Sequence, residues 1–192
     1  MRFTRYENKS FSRFLKFALS VFLFFNCVGA GSCQTKEEKY DAQLKICVEQ
    51  GQKDVAGSTE CLENLLKSNP DKGFINIFLA ENYAELHQLD KAEQTINIFL
   101  SQYSSDSSGY DVRCQIHSDK RDFPAATKDC LKAISLAPEN FDYQRHYASV
   151  IEYSGDKSSA EDLYGYILLK KPEDVSTLVA LGRLYEKTNQ LD

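Results

Sequence analysis

Apolar residues recur along this chain at helical spacing, in paired short stripes separated by polar breaks. Between Gly73 and Asp106 the first stripe is Leu79, Ala80 and Tyr83, at i, i+1 and i+4. After a break at His87–Asp90 comes a second stripe, Ala92, Ile96 and Phe99, at i, i+4 and i+7. Each spacing gathers its residues on one face of a helix. The segment Phe141 to Asp174 repeats the arrangement: Tyr147 and Ala148, the reversal Ser154-Gly155-Asp156, then Ala160, Tyr164 and Ile167. The pattern predicts an all-α chain built of antiparallel helix pairs. A single pair cannot bury both stripes, so stability must come from stacking neighbours.

The pairs recur every 34 residues. Pro70, Pro138 and Pro172 mark the period, with Ser104 at the missing multiple. Aligning segments from Lys39, Gly73, Ser107, Phe141 and Val175 brings further columns into register. The eighth position is small in four of them (Ala80, Cys114, Ala148, Gly182). The twentieth is Ser58, Ala92, Ala126 and Ala160, and the twenty-fourth Leu62, Ile96, Cys130 and Tyr164. Small residues let helices approach closely, and larger ones fill the space against the next unit. A fixed period in this range is the mark of stacked repeats.

These columns resemble the tetratricopeptide repeat (TPR). Its first helix carries Leu-Gly-x-x-Tyr, its second a small-x-x-x-large pair, and a proline closes it. The resemblance implies a TPR-like α-solenoid, a right-handed superhelical array of antiparallel helix pairs. Repeats start at 39, 73, 107 and 141, with a half repeat from 175 that ends at an inter-helix turn. The segment from Lys39 is the least regular, with its first-helix stripe (Tyr40, Leu44, Cys47, Val48, Gly51) shifted by one place. In the segment from Ser107, Arg113 and His117 take places that usually hold Leu and Tyr. Its serine-rich approach, Ser104 to Gly109, predicts a delayed or frayed helix start.

The resemblance also implies a concave groove lined by first-helix positions 2, 5, 9 and 12. Here these include Phe74, Ile77 and Glu81, then Asp111 and Gln115, then Arg145 and Ser149, then Val179 and Arg183. That lining is apolar at its start and of mixed charge beyond. It lacks the Lys and Asn with which one class of these repeats holds a peptide carboxylate. The expected ligands are segments of other proteins.

Charge sets the N-terminus apart. Residues 1–32 hold five basic residues and one acid, against chain totals of 23 and 28. Removing them leaves 18 basic and 27 acidic residues, a net of −9. A body this acidic excludes a phosphate-backbone partner, so no nucleic acid is expected. The basic start (Arg2, Arg5, Lys9, Arg13, Lys16) precedes the apolar run Phe17 to Phe25 and the small residues up to Ser32. This is the layout of a secretory signal peptide. Ala30-Gly31-Ser32-Cys33 resembles a bacterial lipobox, with Ala30 where the pattern has Leu. The resemblance implies lipidation at Cys33, a membrane attachment through its acyl chains such as palmitate, and a polar tether over 33–38. Gln34 after the cysteine implies the outer membrane, facing the periplasm. Cleavage after Ala30 and an uncleaved anchor are the alternatives; Asn26 and the shortness of the apolar run count against the anchor.

Four cysteines remain: Cys47 and Cys61 at repeat positions 9 and 23, Cys114 and Cys130 at 8 and 24. With the turn near positions 15–16, each pair lies directly across one helical hairpin. Two readings stand, a disulfide in each hairpin of an exported protein or small core thiols. Cys114, His117 and Cys130 supply three metal ligands without an evident fourth, so no metal is expected. His87 and His146 show no carboxylate partner. No phosphate-binding glycine loop, His-Glu-x-x-His or Gly-x-Ser-x-Gly is present, and neither enzyme chemistry nor a cofactor is expected. The sequence therefore reads as a non-enzymatic interaction scaffold of the bacterial envelope. The alternative is the N-terminal repeat part of a longer exported protein or enzyme accessory.

Overall fold

The computed structural model describes residues 35–189. The signal-peptide region and Cys33 lie outside the described residues. Described secondary structure is entirely helical: α1 (Lys36–Gly51), α2 (Val55–Ser68), α3 (Ile75–Glu85), α4 (Leu89–Gln102), α5 (Ser107–Asp119), α6 (Phe123–Leu136), α7 (Phe141–Ser154), α8 (Lys157–Lys170) and α9 (Val175–Asn189). Each helix packs on the next in sequence. The first helices of successive pairs also touch: α3 with α5, α5 with α7, and α7 with α9. That pattern is an array of antiparallel pairs whose first helices line one side.

The small-residue columns are where the helices meet. Ala80, Cys114 and Ala148 from the first helices, and Ala92, Ala126 and Ala160 from the second, are completely buried. So are the large partners Leu62, Ile96 and Tyr164. The core is uneven. Leu62, Ile75, Ile96 and Phe99 give the first two pairs a large apolar interior. Around the third hairpin's own contact the cluster is smaller, Cys114, Ala126 and Cys130 with Val150 of the next helix, under Phe123 and Tyr147, while Val112 and Ile116 of α5 join the interior of the first two pairs. At the far end Leu178 and Tyr185 of α9 remain 48% and 44% exposed. A side chain at Gly182 would meet nothing within 4 Å, whereas its equivalents Ala80, Cys114 and Ala148 are covered by a second helix.

Two expectations about helix starts need correction. α1 begins at Lys36, three residues before the first repeat as aligned. The serine-rich approach neither delays nor frays α5. Asp106 caps it, accepting hydrogen bonds from the backbone N–H groups of Ser108 (2.9 Å) and Gly109 (3.1 Å). Two otherwise unpaired donors of the first turn are thereby satisfied. Gly109 is required by space: a Cβ there would fall 2.6 Å from Phe99 and 2.7 Å from Leu100. Its absence lets α5 press onto α4.

Three of the four turns inside the described pairs share one device. His87, Arg121 and Gly155 occupy the fifteenth repeat position, and all have left-handed backbones, with φ of 58°, 62° and 106°. The next N–H then closes the helix by bonding back to the last turn, as in Gln88 N–H to the Tyr83 carbonyl (2.8 Å) and Asp122 N–H to that of His117 (2.9 Å). This is the Schellman closure, in which glycine costs least. The sixteenth position then caps the second helix. Asp54, Asp122 and Asp156 each accept from the backbone N–H three residues on. Gln88 occupies that place before α4 and makes no side-chain cap. Replacing Gln88 by Asp is therefore expected to stabilise the chain by about 1 kcal/mol. An unchanged or lowered urea midpoint would contradict this reading of the column.

Candidate functional site

The first helices α3, α5, α7 and α9 stack in series, and the residues expected to line a groove on them divide into three groups. Phe74 and Ile77 belong to the core. Phe74, just before α3, meets Phe78, Phe99 and Tyr103 edge-on, with ring centroids 5.6, 5.8 and 6.4 Å away, and Ile77 is buried. A second group is tied into polar networks. Asp111 on α5 is buried and accepts from Gln115 Nε2 at 3.0 Å. His146 Nδ1 on α7 lies 2.8 and 2.9 Å from its two carboxylate oxygens. The expectation that His146 has no carboxylate partner is thus wrong. The partner lies one repeat back, and the stacking of α5 on α7 brings the two together.

Arg145 donates to Asp142 at 2.7 Å and to Asp174, ahead of α9, at 3.3 Å. Ser149 bonds the Tyr164 hydroxyl at 3.0 Å. That hydroxyl also donates to Glu152 Oε2, and Lys187 of α9 reaches Oε1 of the same carboxylate at 2.8 Å. Burial, and secondarily the nearby Glu152 charge, pushes the Tyr164 hydroxyl up to about 12. It stays a neutral donor at all physiological pH.

Sequence reasoning did not find these links, but a signal was present. The bonded pairs Glu37–Lys72, Asp111–His146 and Glu152–Lys187 all have a sequence separation of 35. That is one repeat plus one residue, the offset at which neighbouring equivalent helices face each other.

The third group is Glu81, Val179 and Arg183. Val179 and Arg183 are exposed on α9. Glu81 on α3 is partly exposed, and no hydrogen bond to its carboxylate is found among the described residues. Burial pushes Glu81 up to about 7; Asp111 and Glu85 add to the rise and His146 opposes it. The folded chain therefore binds this proton more tightly than the unfolded chain, whose value is 4.5. Relative stability is greatest below pH 4.5 and falls as the pH rises toward 7. Glu81→Gln is expected to stabilise the protein by about 2 kcal/mol at pH 8, a figure reduced for partial exposure, and to have little effect at pH 4. Urea unfolding of both proteins at the two pH values measures it. Equal gains at both would assign the effect to something other than ionisation.

The third hairpin holds a separate polar cluster. Arg113 makes a two-pronged bond to Asp129, at 2.8 and 2.7 Å, and a third to Asn97 at 2.8 Å. His117 Nε2 stands 3.4 Å from the same aspartate. The residues standing in for Leu and Tyr are thus held by a charge partner on the facing helix. The four remaining cysteines form two bridges, Cys47–Cys61 and Cys114–Cys130, with Cα separations of 5.4 and 5.2 Å. Among the described residues no group of three or more metal-ligating side chains converges, and no helix is long and apolar enough to cross a membrane.

No protein-family model matches the chain, and no curated protein matches it by sequence. Solved structures match it strongly. A thermophilic TPR protein of Thermus thermophilus, TTC0263, superposes with a TM-score of 0.71 at 18% identity, covering 80% of this chain and 84% of that one. A tetratricopeptide repeat protein of Parabacteroides merdae gives 0.68 at 15% identity, covering 81% and 61%. MamA of Desulfovibrio magneticus gives 0.60 at 14% identity, covering 70% and 77%. At such identities the likeness concerns architecture alone. With the repeating helix pairs, buried small columns and stacked first helices, it establishes that this chain has the tetratricopeptide-repeat fold, a right-handed superhelical array of antiparallel helix pairs.

Proposed function

We propose that this chain is a non-enzymatic interaction scaffold of the bacterial cell envelope, binding segments of partner proteins along the face formed by α3, α5, α7 and α9. The observation that carries the reading is the stacking of these four helices. It supports a ligand-facing surface that takes in Glu81, Gln115, Val179 and Arg183, of which Val179 and Arg183 are exposed. A repeat array offers such a surface without a reaction centre, and function at this level rests on the site, not on the fold alone.

The envelope location is supported by the N-terminal signal pattern and by the two bridges, which suit an oxidising compartment. In this reading Cys33 carries acyl chains that hold the array at the outer membrane, facing the periplasm, where it helps assemble an envelope machine. The test has two arms. A photo-crosslinking residue at Gln115 or Arg183 should capture a protein in cells, and one at Lys128, exposed on α6, should not. Cys33→Ser should lose palmitate labelling and leave the membrane fraction. Equal capture from all three positions would sink the groove. A Cys33→Ser chain that remains in the membrane would sink the anchor.

A further inference from the structure

The two bridges differ in setting. Cys47, Cys114 and Cys130 are completely buried, whereas Cys61 keeps part of its surface in solvent. The Cys114–Cys130 bridge sits inside the array, with α4 packed on one side of its hairpin and α7 on the other. The Cys47–Cys61 bridge joins α1, the first described helix, to α2.

Among the described residues, few side chains of α1 are buried apart from the bridge. Its buried residues are Tyr40 and Cys47, with Leu44 and Val48 partly covered. Most of its remaining residues face water. Glu37 reaches Lys72 at 2.5 Å, but both side chains are solvent-accessible. Lys72 also stands 4.9 Å over the Tyr40 ring. Exposed pairs of this kind contribute little. On the other side of the contact, α2 hides Ser58, Leu62 and Leu65.

We infer that the Cys47–Cys61 bridge is a redox latch: its reduction by a dithiol frees α1 and uncovers the apolar face of α2, while the Cys114–Cys130 bridge stays closed. A thiolate of the dithiol attacks Cys61 Sγ, on the cysteine that keeps part of its surface in solvent. The S–S bond breaks, and Cys47 leaves as a thiolate that takes up a proton. The second thiol of the dithiol then attacks the mixed disulfide and releases Cys61. The bridge gains two electrons and two protons. The dithiol loses the same and becomes a cyclic disulfide. Access decides the order of the two bridges, because a thiolate must reach sulfur to react. The consequence is conformational: a helix with this little burial loses the restraint that kept it near its partner.

The full chain, purified without reductant, is titrated with dithiothreitol. Thiols are alkylated and assigned by mass spectrometry, and hydrogen exchange is followed in parallel. Cys47 and Cys61 should become alkylated first. Exchange in Lys36–Gly51 should then rise by about tenfold or more, with Ser107–Asp119 still protected. A Cys47→Ser/Cys61→Ser chain should show the fast exchange with or without dithiothreitol. The proposal is overturned if both bridges open together, or if Lys36–Gly51 stays protected once Cys47 and Cys61 are alkylated. Free thiols at these positions in the untreated protein overturn it as well. The wild-type titration decides the matter even if the variant fails to fold.

Discussion

Replacing Arg113 by Leu is expected to destabilise the chain by about 3 kcal/mol, although Leu is the usual residue at this repeat position. The reason lies on the facing helix. Asp129 has a side chain only 6% exposed, and both its oxygens are held by the Arg113 guanidinium. That bond also raises the guanidinium's own proton affinity. Removing the cation leaves a carboxylate in an apolar hairpin, with His117 at 3.4 Å as its nearest remaining partner. Breaking one half of a buried pair costs more than replacing the whole pair. The double variant Arg113→Leu/Asp129→Leu should therefore recover most of the loss. Urea unfolding of the two single variants and the double variant completes the cycle. Additive losses, with the double variant the least stable, would show that the pair is incidental and that α5 and α6 need the polar side chains for another reason.

Removing the Cys114–Cys130 bridge is expected to have a similar effect, about 3 kcal/mol for a loop of this length. The sequence separation is 16, and both cysteines are completely buried. The cluster around the bridge is made of small side chains, with only Ala126 and Val150 beside the two buried cysteines, so a covalent restraint makes up for burial that larger side chains provide elsewhere. A Cys114→Ala/Cys130→Leu chain restores the side-chain types of the repeat and separates the two contributions. If it unfolds at the same urea concentration as the bridged protein, packing alone explains the cysteines. If the loss persists, the restraint is what matters. Peptide mapping under non-reducing conditions, with thiols blocked at harvest, should find residues 114 and 130 in one linked pair.

The arrangement was legible in the sequence wherever it depended on a column. Ala80, Ala92, Ala126, Ala148 and Ala160 could be placed at helix contacts before any contact was seen, because a small residue recurring every 34 positions has the same surroundings each time. The reversal at Gly155 was readable for a similar reason. The left-handed residues His87 and Arg121 share its repeat position but not its residue type. The turn hydrogen bonds impose that conformation on them, and nothing in their chemistry announces it. The capping column Asp54, Asp122 and Asp156 was equally available in the sequence, and the uncapped Gln88 stands out only against it.

The candidate site was less legible, for a geometrical reason. Periodicity gives a residue's angle around its own helix, and successive residues differ by about 100°. It does not tell how far the neighbouring helix covers that angle. Ile77 and Asp111 both hold the fifth position, and both are buried, one in the apolar core and the other under His146 and Gln115. Glu81 and Gln115 share the ninth, and Gln115 is hydrogen-bonded whereas Glu81 is left to desolvation. By itself the sequence determined the helix pairs, their period and the residues at which they touch, since these depend on short-range spacing repeated many times. Only the tertiary structure decided which polar side chains pair across repeats, which cysteine keeps part of its surface in solvent and which carboxylate is desolvated without a hydrogen bond among the described residues. Each of these depends on the packing of two helices drawn from different parts of the chain.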